Sequence, residues 1–228
     1  MNASDKHTLL INNLLELEED TVLAVVRERL ASGDDPFKII EDAQQGMRLV
    51  GERYEQGEYY ISSMMMAGEI FREVMEILGP VLEQRTSGNE SGHILLGTVQ
   101  GDIHDIGKNI FEVMLRSHGF MVTDLGVDVA PSQFVEEALR VKPDIIALSG
   151  LLTISYESMK ETIQMTKKLD ELSVARTPFI IGGGAVTAMV CSFVGADYWA
   201  TDAMVGVRLC EQIMDEKARN NRSLHSKP

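Results

Sequence analysis

Cysteine is almost missing from this chain: Cys191 and Cys210 are its only two, and neither sits in a CxxC or Cys/His pattern. That spacing excludes a zinc ribbon or a disulfide framework and leaves both as small apolar residues suited to a core. Positive charge is scarce as well, with 21 Lys and Arg against 35 Asp and Glu and a formal net charge of −14. Such a chain repels nucleic acid phosphate and anionic lipid, and no basic patch offsets this. Long apolar runs are also lacking: none approaches the roughly 20 residues that cross a bilayer. The start "MNASDKHTLL" has neither the basic residues nor the apolar centre of a signal peptide. The expectation is a cytoplasmic protein that binds neither nucleic acid nor membrane. What is present is 44% hydrophobic residues in a chain of 228, enough for one large core or two small ones.

Up to about residue 86 the apolar spacing is helical. Leu10, Leu14 and Leu17 stand at i, i+4, i+7 in the first segment. The second, "EEDTVLAVVRERLASG", has Asp20 or Thr21 as N-cap and Gly33 beyond its end. The third starts with Asp35 as cap and Pro36 at the first helical position and stops near Gly57. The fourth is expected to be capped by Ser62 or Ser63 and broken at Gly79 and Pro80. Four amphipathic helices with short joints predict a four-helix bundle over residues 1–86.

The polar stretch "RTSGNESG" has no apolar periodicity and reads as a linker, placed at 87–92. Beyond it the pattern changes. Short runs rich in Ile, Leu and Val ("HILLGTV", "FMVTDLG", "DIIALSG", "PFIIGGG", "ADYWATD") alternate with helical stretches. Runs apolar on both faces, separated by single helices, predict a doubly wound, five-stranded parallel sheet of Rossmann-like, flavodoxin-like type over residues 93–218. The tail from 219 to 228 is expected to be disordered. In such a sheet ligands bind where loops leave the carboxyl ends of the strands. "QGDIHDIG", "SGLLTIS" and "GGGA" follow the first, third and fourth of these runs.

The stretch "GTVQGDIHDIGKNI" looks at first like a phosphate loop. Yet Gly101 and Gly107 enclose five residues where a P-loop needs four, Asn109 replaces the hydroxyl residue after the lysine, and GxGxxG is absent. Asp102 and Asp105 would also repel a phosphate. The alternative starts from His104: imidazole ligates transition metals, and a carboxylate on its second nitrogen fixes the tautomer. The residues alone leave a metal ligand and an ordinary hydrogen-bonded loop histidine both open.

At these residues the chain resembles a known family. Asp102, His104 and Gly107 match the D-x-H-x-x-G motif of B12-binding domains, and "LSGLLT" and "GGG" match that family's S-x-L and G-G elements in order. Residues 46–60, "GMRLVGERYEQGEYY", resemble the helical cap that precedes the B12 domain in methionine synthase and in corrinoid proteins of methyltransferase systems. The resemblance implies cobalamin as cofactor, bound with its own base displaced and buried. His104 would be the lower ligand of cobalt, Asp102 its hydrogen-bond partner and Ser155 the third member of a proton relay. Gly101, Ile103, Asp105, Ile106 and Gly107 complete the implied turn. Ser149, Leu151 and Thr153 would line a channel for the displaced nucleotide, with Gly182, Gly183 and Gly184 against its base and Ala203 as a further contact. Tyr60 and Met64 are implied at the upper face.

Other readings compete at several of these positions. Ser155 also suits an N-cap, the three glycines suit a tight turn, and a methionine run suits a core. The cap departs from the family pattern, in that Ser62 and Ser63 stand where proline and an acidic or amide residue are usual. The function implied is that of a methyl carrier, not catalytic by itself, serving a substrate-specific methyltransferase, an acceptor methyltransferase and a reductive activator of the corrinoid. Because the chain opens directly on the cap, it is expected to resemble the free-standing carriers. A B12-dependent sensor or regulatory module is the alternative.

Overall fold

The structure, a computed structural model, describes residues 3–83 and 91–225. The chain divides into two units, Met1–Arg85 and Thr86–Pro228. Most of the linker expected at 87–92 lies outside the described residues.

The first unit holds α1 (Ala3–Leu15), α2 (Glu19–Ala31), α3 (Pro36–Glu55) and α4 (Ile61–Glu83). Their apolar stripes meet in a core that includes Leu10, Leu14, Val26, Ile39, Val50, Ile70, Phe71 and Leu78. The crossing of α1 and α3 is close because Gly46 has no side chain: a Cβ there would lie 2.9 Å from that of Leu14. Asp35 caps α3 as expected, accepting a hydrogen bond from the Phe37 amide at 3.3 Å, with Pro36 in the first turn. Three expectations need correction. The second helix starts at Glu19, with Glu18 at the N-cap and no side-chain cap from Asp20 or Thr21. The fourth begins at Ile61, so Ser62 and Ser63 sit inside its first turn while the Tyr60 carbonyl accepts the opening hydrogen bonds from the Ser63 and Met64 amides. Nor does α4 break at Gly79 and Pro80, since it continues to Glu83. Proline there removes one backbone bond near the helix end, and Gly79 has no Cβ to clash with the ring that follows.

The second unit alternates β1 (Gly92–Thr98), α5 (Ile106–Ser117), β2 (Phe120–Asp124), α6 (Pro131–Val141), β3 (Ile145–Ser149), α7 (Ser155–Lys167), a short α8 (Leu172–Ala175), β4 (Phe179–Gly182), α9 (Ala188–Val194), β5 (Tyr198–Ala200) and α10 (Ala203–His225). All five strands are parallel, in the order β2-β1-β3-β4-β5. The central strands are buried on both faces, which is why they read as unbroken apolar runs. The tail is corrected too. Helix α10 runs on to His225, past the expected disorder from 219, and no glycine or proline stands between Gly206 in its first turn and Pro228.

Register then places the candidate residues. Thr98 pairs with Ser149, Ser149 with Gly182, and Gly182 with Ala200, so one row across four strands ends the sheet on its carboxyl side. The loops to His104, Ser155, Gly184 and Ala203 all leave from this row.

Candidate functional site

The loop after β1 turns at Gly101, whose φ of +86° is a conformation that favours glycine. The turn sends Asp102 inward, where it is 1% exposed. One of its carboxylate oxygens, Oδ1, accepts from the His104 amide at 3.0 Å and lies 2.6 Å from His104 Nδ1. The other, Oδ2, accepts from the Leu151 amide at 2.6 Å, the Leu152 amide at 3.0 Å and Ser155 Oγ at 3.0 Å. Burial by itself would push this carboxyl up. The hydrogen bonds from the Leu152 amide, from His104 and from the Leu151 amide outweigh it, holding Asp102 well below the usual carboxylate range.

A carboxylate only accepts, so the proton of a neutral His104 is on Nδ1 and the lone pair is on Nε2. The His104 side chain is 49% exposed, and no described residue bonds its Nε2. Among the described residues no three His, Cys, Asp or Glu side chains gather as a metal cluster. His104 thus offers a single donor atom, which suits a metal that brings its remaining ligands with it.

Ser155 is decided by geometry. It is the first residue of α7, with Ile154 at the N-cap and no side-chain cap bond, so the capping alternative fails. Its buried hydroxyl instead faces Asp102 Oδ2 and the Leu152 carbonyl. Leu151 and Thr153 are exposed on the same loop, and Ser149 is half-buried at the end of β3. Ile103, 71% exposed, flanks the histidine, Asp105 is exposed, and Ile106 is half-buried at the start of α5.

The three glycines at the end of β4 differ among themselves. Gly183, at φ +148°, passes so close to Gly150 that a Cβ would lie 2.0 Å from its carbonyl oxygen, so the tight turn accounts for this glycine. At Gly182 and Gly184 the nearest atoms to an added Cβ are 3.8 and 3.7 Å away, and at Gly107 there is open space. At Gly182 and Gly184 a side chain would make ordinary contact, and only at Gly107 would it meet open space. Ala203 opens α10 beside them, half-buried. Tyr60, 76% exposed, and the partly exposed Met64 belong to the helical unit, at the start of α4.

Some of the site gave no signal in the sequence. The Leu151 and Leu152 amides that hold Asp102 are backbone groups, which no side chain announces. Lys108 mimicked a phosphate-loop lysine; it is 3% exposed and paired with Asp124 at 2.5 Å, so its charge is committed inside the fold. Its pairing partner, 16 residues later at the end of β2, becomes evident only from the sheet order.

Residues 92–208 match the family model of the B12 binding domain, and residues 8–78 match a second B12 binding domain model. The trimethylamine corrinoid protein 1 of Methanosarcina acetivorans is 39% identical over 201 residues, covering 86% of this chain and 92% of that protein. The structure of the Methanosarcina barkeri monomethylamine corrinoid protein superposes with a TM-score of 0.80 at 29% identity, covering 90% of this chain and 96% of the other. A methanol:cobalamin methyltransferase complex from the same organism matches with a TM-score of 0.52 at 26% identity, over 94% of this chain and 81% of that one.

Proposed function

This chain belongs to the B12-binding corrinoid proteins, and from that membership we propose that it carries a methyl group on corrinoid cobalt, with the cofactor's own base displaced and His104 Nε2 as lower ligand. The observation that carries the ligand assignment is the Asp102 carboxylate, which accepts a hydrogen bond from His104 Nδ1 at 2.6 Å and leaves Nε2 of a half-exposed side chain without a described partner. The residues fit the group. They provide one imidazole donor, exposed apolar side chains at Ile103, Leu151 and Leu152, open space beside Gly107, and glycines without side chains at 182 and 184. Ser149, Leu151, Thr153 and Ala203, at or after the carboxyl ends of β3 and β5, are the contacts proposed for the displaced nucleotide.

When bound, the corrinoid supplies a cobalt atom able to accept and release a methyl group. The protein's own part is to hold and to let go. Asp102 keeps Nδ1 protonated, which fixes the ring and raises the electron density at Nε2. With Nε2 free, the His104 ring could hold a second proton, and the Asp102 carboxylate, kept charged by its amide donors, would stabilise the imidazolium. Ser155 Oγ, against Asp102 Oδ2, extends this path by one group.

The relatives include a methanol:cobalamin methyltransferase complex, which supports a methyltransferase as partner here. An acceptor methyltransferase and a reductive activator are the further partners proposed, in the cytoplasm. Among the described residues no helix is long and apolar enough to cross a membrane. The methyl donor is set by the partner enzyme's pocket.

Reconstitution with hydroxocobalamin tests the ligand. The expected visible spectrum is that of imidazole-coordinated cobalt, lost in His104→Ala and restored by added free imidazole. An unchanged spectrum in His104→Ala would sink the assignment.

A further inference from the structure

The turn that presents His104 is held at both ends by side chains outside the His, Asp and Ser set. At its start, Asp128 Oδ1 accepts from the Gly101 amide at 2.8 Å, and the Asp128 amide donates to the Asp102 carbonyl at 3.0 Å. Residue 128 thereby brackets the peptide from which the Asp102 side chain is directed inward. Asp128 adopts φ +54°, one of three non-glycine residues among those described with positive φ. Aspartate tolerates this conformation better than most residues because its short side chain can bond nearby backbone, as it does here.

At the other end of the turn, the Thr98 hydroxyl, wholly buried, donates to the His104 carbonyl at 3.2 Å. Thr98 cannot drift. Its amide donates to the Gly126 carbonyl at 2.9 Å and its carbonyl accepts from the Val129 amide at 3.0 Å. Both anchors therefore depend on one segment, residues 124–129, which starts at the last residue of β2. That segment is in turn fixed from α5 by the Lys108–Asp124 ion pair, while Asp124 Oδ1 accepts from the Gly126 amide at 3.0 Å.

We propose that Asp128 and Thr98 are positioning residues for His104, a clamp that fixes the backbone of the 101–104 turn and so the direction in which Nε2 points. The cobalt consequence rests on His104 being the lower ligand. The positional consequence does not.

Four variants separate the hydrogen bonds from backbone strain and packing. Asp128→Gly tolerates the positive φ and loses the acceptor, whereas Asp128→Asn keeps both. Thr98→Val keeps the shape and loses the hydroxyl, whereas Thr98→Ser keeps the hydroxyl. Each is studied in the full chain in two ways. In the cofactor-free protein, NMR of labelled histidine follows the His104 Nδ1 proton bonded to Asp102. In protein loaded with hydroxocobalamin, free imidazole is titrated to displace the protein ligand. For Asp128→Gly and Thr98→Val, the Nδ1 proton signal should broaden or vanish, and half-displacement should need about threefold to tenfold less imidazole, the factor that one hydrogen bond is worth. Asp128→Asn and Thr98→Ser should stay near the parent.

Unchanged Nδ1 signals and displacement in the Gly and Val variants would overturn the clamp. So would equal defects in the Asn and Ser variants, which would mean that packing and not the hydrogen bonds is responsible. If His104→Ala leaves the loaded spectrum unaltered, the ligand assignment fails by itself, and the cofactor-free NMR alone decides whether the clamp positions the ring.

Discussion

Each of the two units buries an aspartate against a half-exposed histidine. In the helical unit Asp42 is 5% exposed and meets His7 Nδ1 at 2.5 Å; in the sheet unit Asp102 is 1% exposed and meets His104 Nδ1 at 2.6 Å. The histidine side chains are similarly exposed, at 54% and 49%. What differs is the rest of each carboxylate's company. Arg29 sits 2.5 Å from the second oxygen of Asp42, is itself buried, and reaches on to Asp34 at 2.8 Å. The negative charge of Asp42 is thus neutralised by a guanidinium, and the cluster ties α1, α2 and α3 together. Among the described residues no Lys or Arg pairs with Asp102. Three amides and a hydroxyl hold it, together with the His104 ring. Neutral donors satisfy a carboxylate without cancelling its charge, so the field of Asp102 falls on His104. The same pair of side chains fastens helices in one unit and, in the role proposed for His104, prepares a ligand in the other.

The largest effect should come from removing the cation. Arg29→Leu leaves Asp42 buried and charged, and breaking a buried pair in this way costs about 3–5 kcal/mol. Urea unfolding of the full chain, followed by helical circular dichroism, should show an early transition assigned to the helical unit. The reconstituted cofactor spectrum should persist through that transition and be lost only at higher urea. A simultaneous loss of both signals would mean that the two units do not divide structure from ligation as the comparison holds.

Next is Asp102→Asn. Its amide nitrogen would face either the two leucine amides or the histidine, donor against donor, at about 1–3 kcal/mol for each group left unsatisfied. A pH series sharpens this prediction. Because the folded Asp102 is held below the usual carboxylate range, its contribution to stability is present above the unfolded value of about 4 and is lost as pH falls toward the depressed folded one. The parent should therefore exceed the Asn variant in urea midpoint at pH 6, with the gap narrowing at pH 3. A gap independent of pH would show that the charge of Asp102 contributes nothing.

Legibility followed the range of the interactions. The helices were readable because amphipathic spacing and caps such as Asp35 are local, and the strands because burial on both faces leaves continuous apolar runs. The Asp102–His104 pair was readable because a single residue, Ile103, separates its members. Where local signals competed, tertiary context decided. Proline stopped nothing at position 80, where a glycine precedes it near a helix end. Ser155 looked like a cap, but its hydroxyl found a carboxylate 53 residues away. The amides of Leu151 and Leu152, and the clamp from Thr98 and Asp128, depend on β3 lying beside β1 and on the loop after β2 folding under the turn. No spacing in one chain records such adjacency.

The smallest effect should come from His7→Ala. Arg29 still neutralises Asp42 in this variant, and the lost contact joins a buried carboxylate to a ring more than half in solvent, so the cost should stay below about 1 kcal/mol. The urea transition of the helical unit should move little, and the hydroxocobalamin spectrum not at all. This is the control for His104→Ala, in which an aspartate of equal burial loses the same kind of partner. If His7→Ala altered cobalt coordination, the histidine of the helical unit would belong to the reaction centre after all, and the contrast between a neutralised and an uncancelled carboxylate would no longer separate the two roles.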